Sequence, residues 1–531
     1  MTYWLVVLSF LGAVYSVPAN HSETKPLNST PNVFPITNTP AIARNDSVTV
    51  ANAASYKVGD LPWAQGGTKL NNTGFSGFIR VRPDVHLFHW FFPAQDPQSA
   101  NPPLLIWLQG GPGVSSMACL FQESGPLRVT DDLKLTMNEA TWNKHYSMLF
   151  IDNPAGTGFS YIKDPSKPDR LKTHGLFTLN KTNPTPEQDF AAIKYSKEET
   201  CQLKKVKSAI PDTEPEFGPE GFAINQLAIA DDLIAFLDTF YQIHPEQLKS
   251  KLYLTGESYA GKYLPNLGYR IHTENEKRKL NPSSTLIPFA GISIGDGFTD
   301  PITQLSYLPN QLLNYGLVSE KQAKKMTMFA DATVGYLCLN ELGFAYSGRN
   351  RLWDLYDKYT GNINYFDIRK GDNGFNQKNM IKFLKLEETR NAIHVDKHAF
   401  FGLDHRATAR LSVDIMKSAK IYVEKLLQNN YRVLVYQGQF DVRDGIMSTS
   451  QWIETMEWSG SNGYANADRQ IWKTSTTSNS SDKHVVGYLT KFNNFARFEL
   501  INAGHLAPMD QPEVTKQMIE MFVGTNSTIA K

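Results

Sequence analysis

Residues 254–265 read LTGESYAGKYLP, and this stretch decides the fold. The apolar run Lys251-Leu252-Tyr253-Leu254-Thr255 leads straight into Gly256-Glu257-Ser258-Tyr259-Ala260-Gly261, and a helical pattern follows at once. A serine held between a buried strand and a helix, with small residues on both sides, is the pattern of a nucleophile elbow. The turn brings strand and helix backbones close together, so its neighbours must be small. Gly256 supplies one, and Ala260 with Gly261 behind it supplies the other. A tight turn whose serine merely caps the helix fits the hexapeptide too, so the rest of the chain must decide.

Two later segments provide partners in a telling order. Asp441 lies in LVYQGQFDVRDG after an apolar run, and His505 lies in FELINAGHLAPMD after another. Ser258, Asp441, His505 is the chain order of α/β-hydrolases. Each follows a strand-like segment, so all three can meet at one edge of a parallel sheet. The chemistry requires the set: a serine hydroxyl is a weak nucleophile until a base takes its proton, and the imidazole needs a carboxylate to fix its tautomer. Singly, each has a bland reading, as a turn aspartate or a structural histidine.

A glycine-rich loop completes the expected machinery. The buried-strand pattern Leu104-Leu105-Ile106-Trp107-Leu108 is followed by Gln109-Gly110-Gly111-Pro112-Gly113-Val114. Consecutive glycines let backbone N–H groups face a developing oxyanion. A phosphate-gripping loop is excluded, because no Gly-Lys-Ser/Thr follows.

This combination resembles the serine carboxypeptidase family. GESYAGKYLP, WLQGGPGVSS, LFIDNPAGTGFSY, GISIGDGFTDP, the Asp441 loop and NAGHLAP look like that family's signature blocks, in its order, over roughly residues 75–525. Gln109 and Asp296 look like its vitellogenic-carboxypeptidase-like branch. The resemblance implies Ser258 as nucleophile, His505 as general base and Asp441 as its orienter. It implies an oxyanion hole from the backbone N–H groups of Gly111 and Tyr259. It also implies that Gln109, Glu123 and Glu257 bind the substrate's terminal carboxylate; Gln122, beside Glu123, is a further candidate for contact with the leaving residue. Gln109 stands where the family usually has Asn, Val114 where it has Cys, Asp296 where it has Asn, and Leu506 where methionine is common. Val114 removes a half-cystine, so a bridge from this loop cannot form.

Two glutamates binding an anion pose a physical puzzle. Neighbouring carboxyls in a partly buried cleft cannot both ionise cheaply, so one holds its proton and becomes a donor to the substrate carboxylate. Glu123 and Glu257 are therefore expected to share a proton, with exopeptidase activity greatest at acidic pH.

Residues 1–16, MTYWLVVLSFLGAVYS, read as a signal peptide that lacks a basic residue at its start. Sequons at Asn20, Asn28, Asn45, Asn71, Asn180, Asn479 and Asn526 are candidate N-glycosylation sites. Together they point to the secretory pathway, with a secreted or lysosomal protein as the expectation. The three cysteines, Cys119, Cys201 and Cys338, allow at most one internal bridge, and the sequence does not choose the pairing. No metal cluster and no cofactor motif is evident; His86 and His89 read as ordinary strand residues. With a net charge of +1 and mixed signs, the chain carries no electrostatic footprint for nucleic acid.

The alternation of strands and helices predicts an α/β-hydrolase fold, a mainly parallel twisted sheet with helices on both faces. The expected plan is a signal peptide (1–16), a flexible or propeptide-like arm (17–55), a first catalytic part (56–301), an inserted, mostly helical cap (302–410) and a second catalytic part (411–531). A hairpin is expected around 75–92. Strands are expected near 104–108, 148–152, 251–255, 288–294, 431–436 and 496–501, and a helix over 227–243. The cap aromatics Tyr307, Tyr315, Tyr336, Phe344 and Tyr346 are read mainly as packing residues. Three functions compete: a carboxypeptidase acting on peptides with a free C-terminus, an acyltransferase or esterase with the same triad, and a catalytically silent binding protein. The family resemblance also raises a homodimer.

Overall fold

The computed structural model describes residues 52–163, 214–218, 221–338, 340–371, 376–474 and 483–524. Its centre is a sheet in the order β1-β2-β6-β3-β8-β9-β10-β13-β12-β11. The strands are β1 (Phe75–Arg82), β2 (Val85–Phe92), β3 (Leu104–Leu108), β6 (Ser147–Ile151), β8 (Leu252–Glu257), β9 (Phe289–Gly295), β10 (Arg432–Gly438), β11 (Gln470–Thr474), β12 (His484–Phe492) and β13 (Phe495–Leu500). A short β7 (Tyr161–Ile162) pairs with β2, and β4 (Leu127–Val129) and β5 (Leu135–Met137) form a separate hairpin. The six strands from β6 to β13 run parallel. The outer strands are antiparallel.

The core follows from the pleat. Side chains alternate across a strand, so β3 sends Leu104, Ile106 and Leu108 to one face and Leu105 and Trp107 to the other. The first face packs on Leu233 and Leu237 of the helix Gln226–Ile243 and on Leu264 and Leu267 of the helix Ala260–Lys279. The second packs on Phe121, Trp142 and Phe522. Covered on both sides, the central strands can be continuous apolar runs. All six residues of β8 are buried. Each such Leu or Ile side chain contributes about 1.5–3 kcal/mol by leaving water. The helix Gln226–Ile243 starts where Asn225 accepts the Ala228 N–H at 2.9 Å, an N-cap that satisfies an otherwise orphaned donor.

The hairpin and the six predicted strands lie within two residues of their expected ends. The long segment between β9 and β10 carries helices and, among the described residues, no strand. Among the described residues, no helix is long and apolar enough to cross a membrane. The signal-peptide segment, nearly all of the 17–55 arm, Cys201 and every sequon asparagine except Asn71 fall outside the described residues; Asn71 is exposed.

Candidate active site

Ser258 follows β8 directly and has φ +62°, the left-handed region that non-glycine residues avoid. Such a conformation costs about 1–3 kcal/mol and persists only where its surroundings enforce it. Here the Ser258 N–H donates to the Gly295 carbonyl, and the Ser258 carbonyl accepts from Gly261 and Phe298 N–H, all at 2.9 Å. A Cβ on Gly256 would sit 2.2 Å from the Leu108 carbonyl oxygen and 2.8 Å from the Ala260 Cβ. Only glycine permits that approach, which is what the sequence pattern demanded.

His505 and Asp441 arrive on loops after β13 and β10. The two side chains meet, with His505 Nδ1 2.9 Å from Asp441 Oδ2, both fully or nearly fully buried. The Phe366 ring packs on the imidazole at 4.8 Å between centroids. Burial alone would lower the imidazole pKa; the Asp441 charge and hydrogen bond, with Asp444, reverse this and raise it. His505 Nε2 is buried and has no hydrogen-bond partner among the described residues. It opens with Ser258 onto the same cavity of about 810 Å³. The serine–imidazole hydrogen bond is therefore not formed in this state; such bonds commonly tighten only with substrate in place.

Asp441 is well supplied with donors. Oδ2 also accepts from Gln437 Nε2 at 2.9 Å, and Oδ1 accepts from the Arg443 and Asp444 N–H groups at 2.7 and 3.3 Å. The same Gln437 amide donates to Asp296 Oδ1 at 2.7 Å, as does the Gly438 N–H. Burial and the nearby Asp441 push the Asp296 carboxyl well up. Ligand atoms of Asp296, Asp441 and His505 lie within 4.8 Å of one another. Nδ1 of His505, both oxygens of Asp441 and Oδ1 of Asp296 are already engaged in hydrogen bonds, which a cation would have to displace.

The glycine loop packs directly on the elbow. A Cβ on Gly110 would lie 2.5 Å from the Tyr259 nitrogen. Gly111 and Tyr259 both line the cavity, and neither backbone N–H has an acceptor among the described residues. Two such unengaged donors are what an oxyanion requires. The loop is anchored by Asp152, which accepts from Ser115 Oγ, Ser116 N–H and Phe159 N–H at 2.6, 3.0 and 2.9 Å. Burial pushes the Asp152 carboxyl up to about 7 despite these donors. Neither Asp152 nor Gln437 was singled out from the sequence; no local pattern marks them.

The candidate carboxylate-binding residues separate into two layers. Gln109 and Glu257 line the cavity, and Glu123 lies behind them, fully buried. Gln109 is held by Trp107, whose Nε1 donates to its carbonyl oxygen at 2.6 Å, so its amide points to Glu257 Oε1 at 3.3 Å. Among the described residues no N–H reaches either oxygen of Glu123 or Glu257 Oε2; the two carboxyls lie within hydrogen-bonding reach of each other, so a proton on one is what joins them. Arg128 donates to the Glu123 backbone carbonyl rather than its carboxylate. Burial pushes Glu123 up to about 7, and burial with the neighbouring Glu123 pushes Glu257 well above the ordinary range. Gln122 does not line the cavity; its amide donates to the Asn376 carbonyl at 2.6 Å.

None of Tyr307, Tyr315, Tyr336, Phe344 and Tyr346, the aromatics expected to pack, lines the cavity; Trp353, Tyr365 and Phe366 do. Cys119 is free and buried, its Sγ 2.9 Å from Ser124 Oγ, and burial raises its thiol well up. That suits a packing residue rather than a nucleophile. Cys338 is disulfide-bonded.

Comparison with known proteins identifies the family. The family model described as serine carboxypeptidase matches residues 65–525. The chain is similar to the human "Probable serine carboxypeptidase CPVL", with 32% identity over 86% of this chain and 84% of that one. It is similar to the vitellogenic carboxypeptidase of Aedes aegypti, with 29% identity over 85% of this chain and 83% of that one. Among solved structures, Kex1(delta)p, a prohormone-processing carboxypeptidase from Saccharomyces cerevisiae, shares the fold. Its TM-score is 0.69 at 24% identity, covering 90% of this chain and 98% of that one. The chain belongs to the serine carboxypeptidase family, on the branch of the vitellogenic-carboxypeptidase-like proteins.

Proposed function

We propose that this protein is a serine-type carboxypeptidase that releases C-terminal residues from peptides through an acyl-enzyme, most actively at acidic pH. Ser258 Oγ attacks the scissile carbonyl carbon while His505 Nε2 takes its proton. Asp441 holds Nδ1–H and stabilises the imidazolium. The N–H groups of Gly111 and Tyr259 receive the oxyanion. Collapse breaks the C–N bond, and His505 returns the proton to the departing amine. Water, deprotonated by His505, then attacks the ester and frees Ser258. Residues 302–410 serve as the cap over this cavity. The leader at 1–16 and the sequons support routing through the secretory pathway, to the outside or to lysosomes.

One observation carries the choice of peptidase over esterase: a buried acid pair, Glu123 behind Glu257, beside the nucleophile. An esterase has no use for it. A protonated Glu257 donates to the substrate's terminal carboxylate, with Gln109 alongside. As pH rises and the pair loses a proton, repulsion weakens the grip.

The test is paired. A fluorophosphonate probe should label the wild type and not Ser258→Ala. Peptides with free C-termini should then be trimmed at about pH 5, and their amidated counterparts should resist. Equal cleavage of both would make the protein an esterase-like hydrolase; absence of labelling would make it a silent member of the fold.

A further inference from the structure

The cavity above Ser258 carries an unusual charge. Its charged lining consists of Arg349, Arg443, Lys378 and Lys382 against Glu257 and Asp444. Lys378 and Lys382 are exposed, so they form the rim. The two arginines lie deeper, and they are treated differently from arginines elsewhere. Arg82, Arg270, Arg278 and Arg369 each hold a carboxylate at 2.6–2.8 Å. Among the described residues, neither Arg349 nor Arg443 has a carboxylate within ion-pair distance. Arg349 Nε is buried without a partner, and its Nη1 reaches only the neighbouring Asn350 side chain at 3.2 Å. Burial, followed by the field of Arg443, pushes the Arg349 guanidinium down to about 10, so it stays charged at neutral pH.

Their support is aromatic rather than ionic. The Arg443 guanidinium carbon lies 4.5 Å from the Trp353 ring centroid and 5.2 Å from that of Tyr365. Arg349 lies 5.7 Å from the Phe298 ring and 5.9 Å from that of Tyr346. Stacking holds a guanidinium by its face and leaves its N–H edge for a ligand. Two like charges kept close, with one buried donor unmet, form a site whose repulsion an incoming anion relieves. Asp444, on which both arginines act, is itself pushed up to about 6 by burial, so it is a weak counter-ion under acidic conditions.

The position of the pair assigns the anion. Gln109 follows β3, on one side of β8 and its Ser258, whereas Arg443 follows β10, two strands away on the other side, and Arg349 packs on Phe298 in the loop after β9. The substrate's terminal carboxylate, gripped by Glu257, is therefore not what they meet. What remains is the side chain of the residue on the acyl side of the scissile bond. We propose that Arg349 and Arg443 form a subsite for an acidic side chain there, making peptides with Asp or Glu before the last residue the preferred substrates. This rests on the carboxypeptidase reading and narrows it.

Three N-blocked dipeptides that end in leucine and differ only in the preceding residue, Glu, Gln or Leu, provide the test. The Glu substrate should exceed the isosteric Gln substrate by about tenfold or more in kcat/KM, as expected for a charge-assisted contact. Arg349→Gln and Arg443→Gln should each bring that ratio towards unity, and Arg349→Gln more so. The ratio needs no knowledge of active enzyme concentration, so a partly folded variant still reports; if Arg349→Gln fails to fold, Arg443→Gln decides. A wild-type ratio of one or less, or a ratio that neither substitution moves, overturns the subsite. Failure to cleave any of the three peptides by a protein that still labels at Ser258 would instead overturn the carboxypeptidase reading, and the subsite with it.

Discussion

Asp441 and Asp296 on one side, and Glu123 and Glu257 on the other, are two pairs of fully buried carboxyls near Ser258, yet the protein supplies them very differently. Four N–H donors converge on Asp441, and two on a single oxygen of Asp296. Glu123 accepts none, and Glu257 has one long contact from Gln109. Burial is equal, so burial does not set the role. Donor supply does: a carboxyl surrounded by N–H groups can serve as an acceptor that orients an imidazole, whereas a donor-starved one must keep a proton and becomes a donor itself. The same chemical group can thus steady a base in one place and bind an anion in another.

The largest effect should come from removing the well-supplied acceptor. Asp441→Asn places an amide against His505 Nδ1 and favours the wrong tautomer. Loss of about 10⁴ in kcat is expected, the scale of the equivalent change in serine proteases. Steady-state kinetics on a blocked dipeptide, normalised by burst titration, would measure it. A loss of only tenfold would mean that Asp296 can take over as orienter, and the contrast between the pairs would fail.

Glu123→Gln probes the donor-starved pair. In the wild type, Glu123 is pushed up to about 7 and Glu257, facing it, well above the ordinary range, so the pair is uncharged well below pH 7 and takes its first charge, on Glu123, above it, where that charge repels the substrate carboxylate. Peptide kcat/KM should therefore fall as pH rises through about 7, mostly through KM. The variant cannot develop that charge, so its alkaline decline should flatten. Relative to pH 5, activity at pH 8 should rise by about tenfold over wild type. An ester substrate without a free carboxylate should show little of this difference. An unchanged peptide profile would remove the shared proton from the mechanism.

Much of this was legible in the sequence, for reasons specific to each part. The central strands read clearly because burial on both faces makes them unbroken apolar runs, as in Leu104–Leu108 and Leu252–Glu257. The elbow was legible because close backbone approach forces small residues at fixed offsets. The outer strands were not: Gln470–Thr474 is largely exposed and carries no clear alternation, so neither period nor composition marks it. Glu123 and Glu257 looked equivalent along the chain, and only packing separates the one that faces the cavity from the one behind it. Gln437 and Asp152 act through hydrogen bonds to residues distant in sequence, which leave no local trace. Arg349 and Arg443 share a cavity wall only because a helix of the 302–410 segment folds over the loop after β10.

The smallest expected effect carries the sharpest meaning. Asp296 stands where the family usually has asparagine, and the two residues are nearly the same shape. If burial and Asp441 keep Asp296 protonated, as the direction of its shift indicates, then Asp296→Asn exchanges one neutral group for another. The carbonyl oxygen still accepts from Gln437 and Gly438, and an N–H replaces the O–H. The acid-limb pKa of kcat/KM, which reports His505, should then move by less than about half a unit, and kcat by less than about threefold. An ionised Asp296 would behave otherwise. Its carboxylate lies within 4.8 Å of ligand atoms of Asp441 and His505, and removing its charge would lower the imidazole pKa by about one unit or more. A full pH–rate profile of Asp296→Asn beside that of Asp441→Asn therefore reads where the proton resides. Near-silence in the first and collapse in the second require that Asp441 alone holds the negative charge; comparable shifts in both would mean that the two aspartates share it.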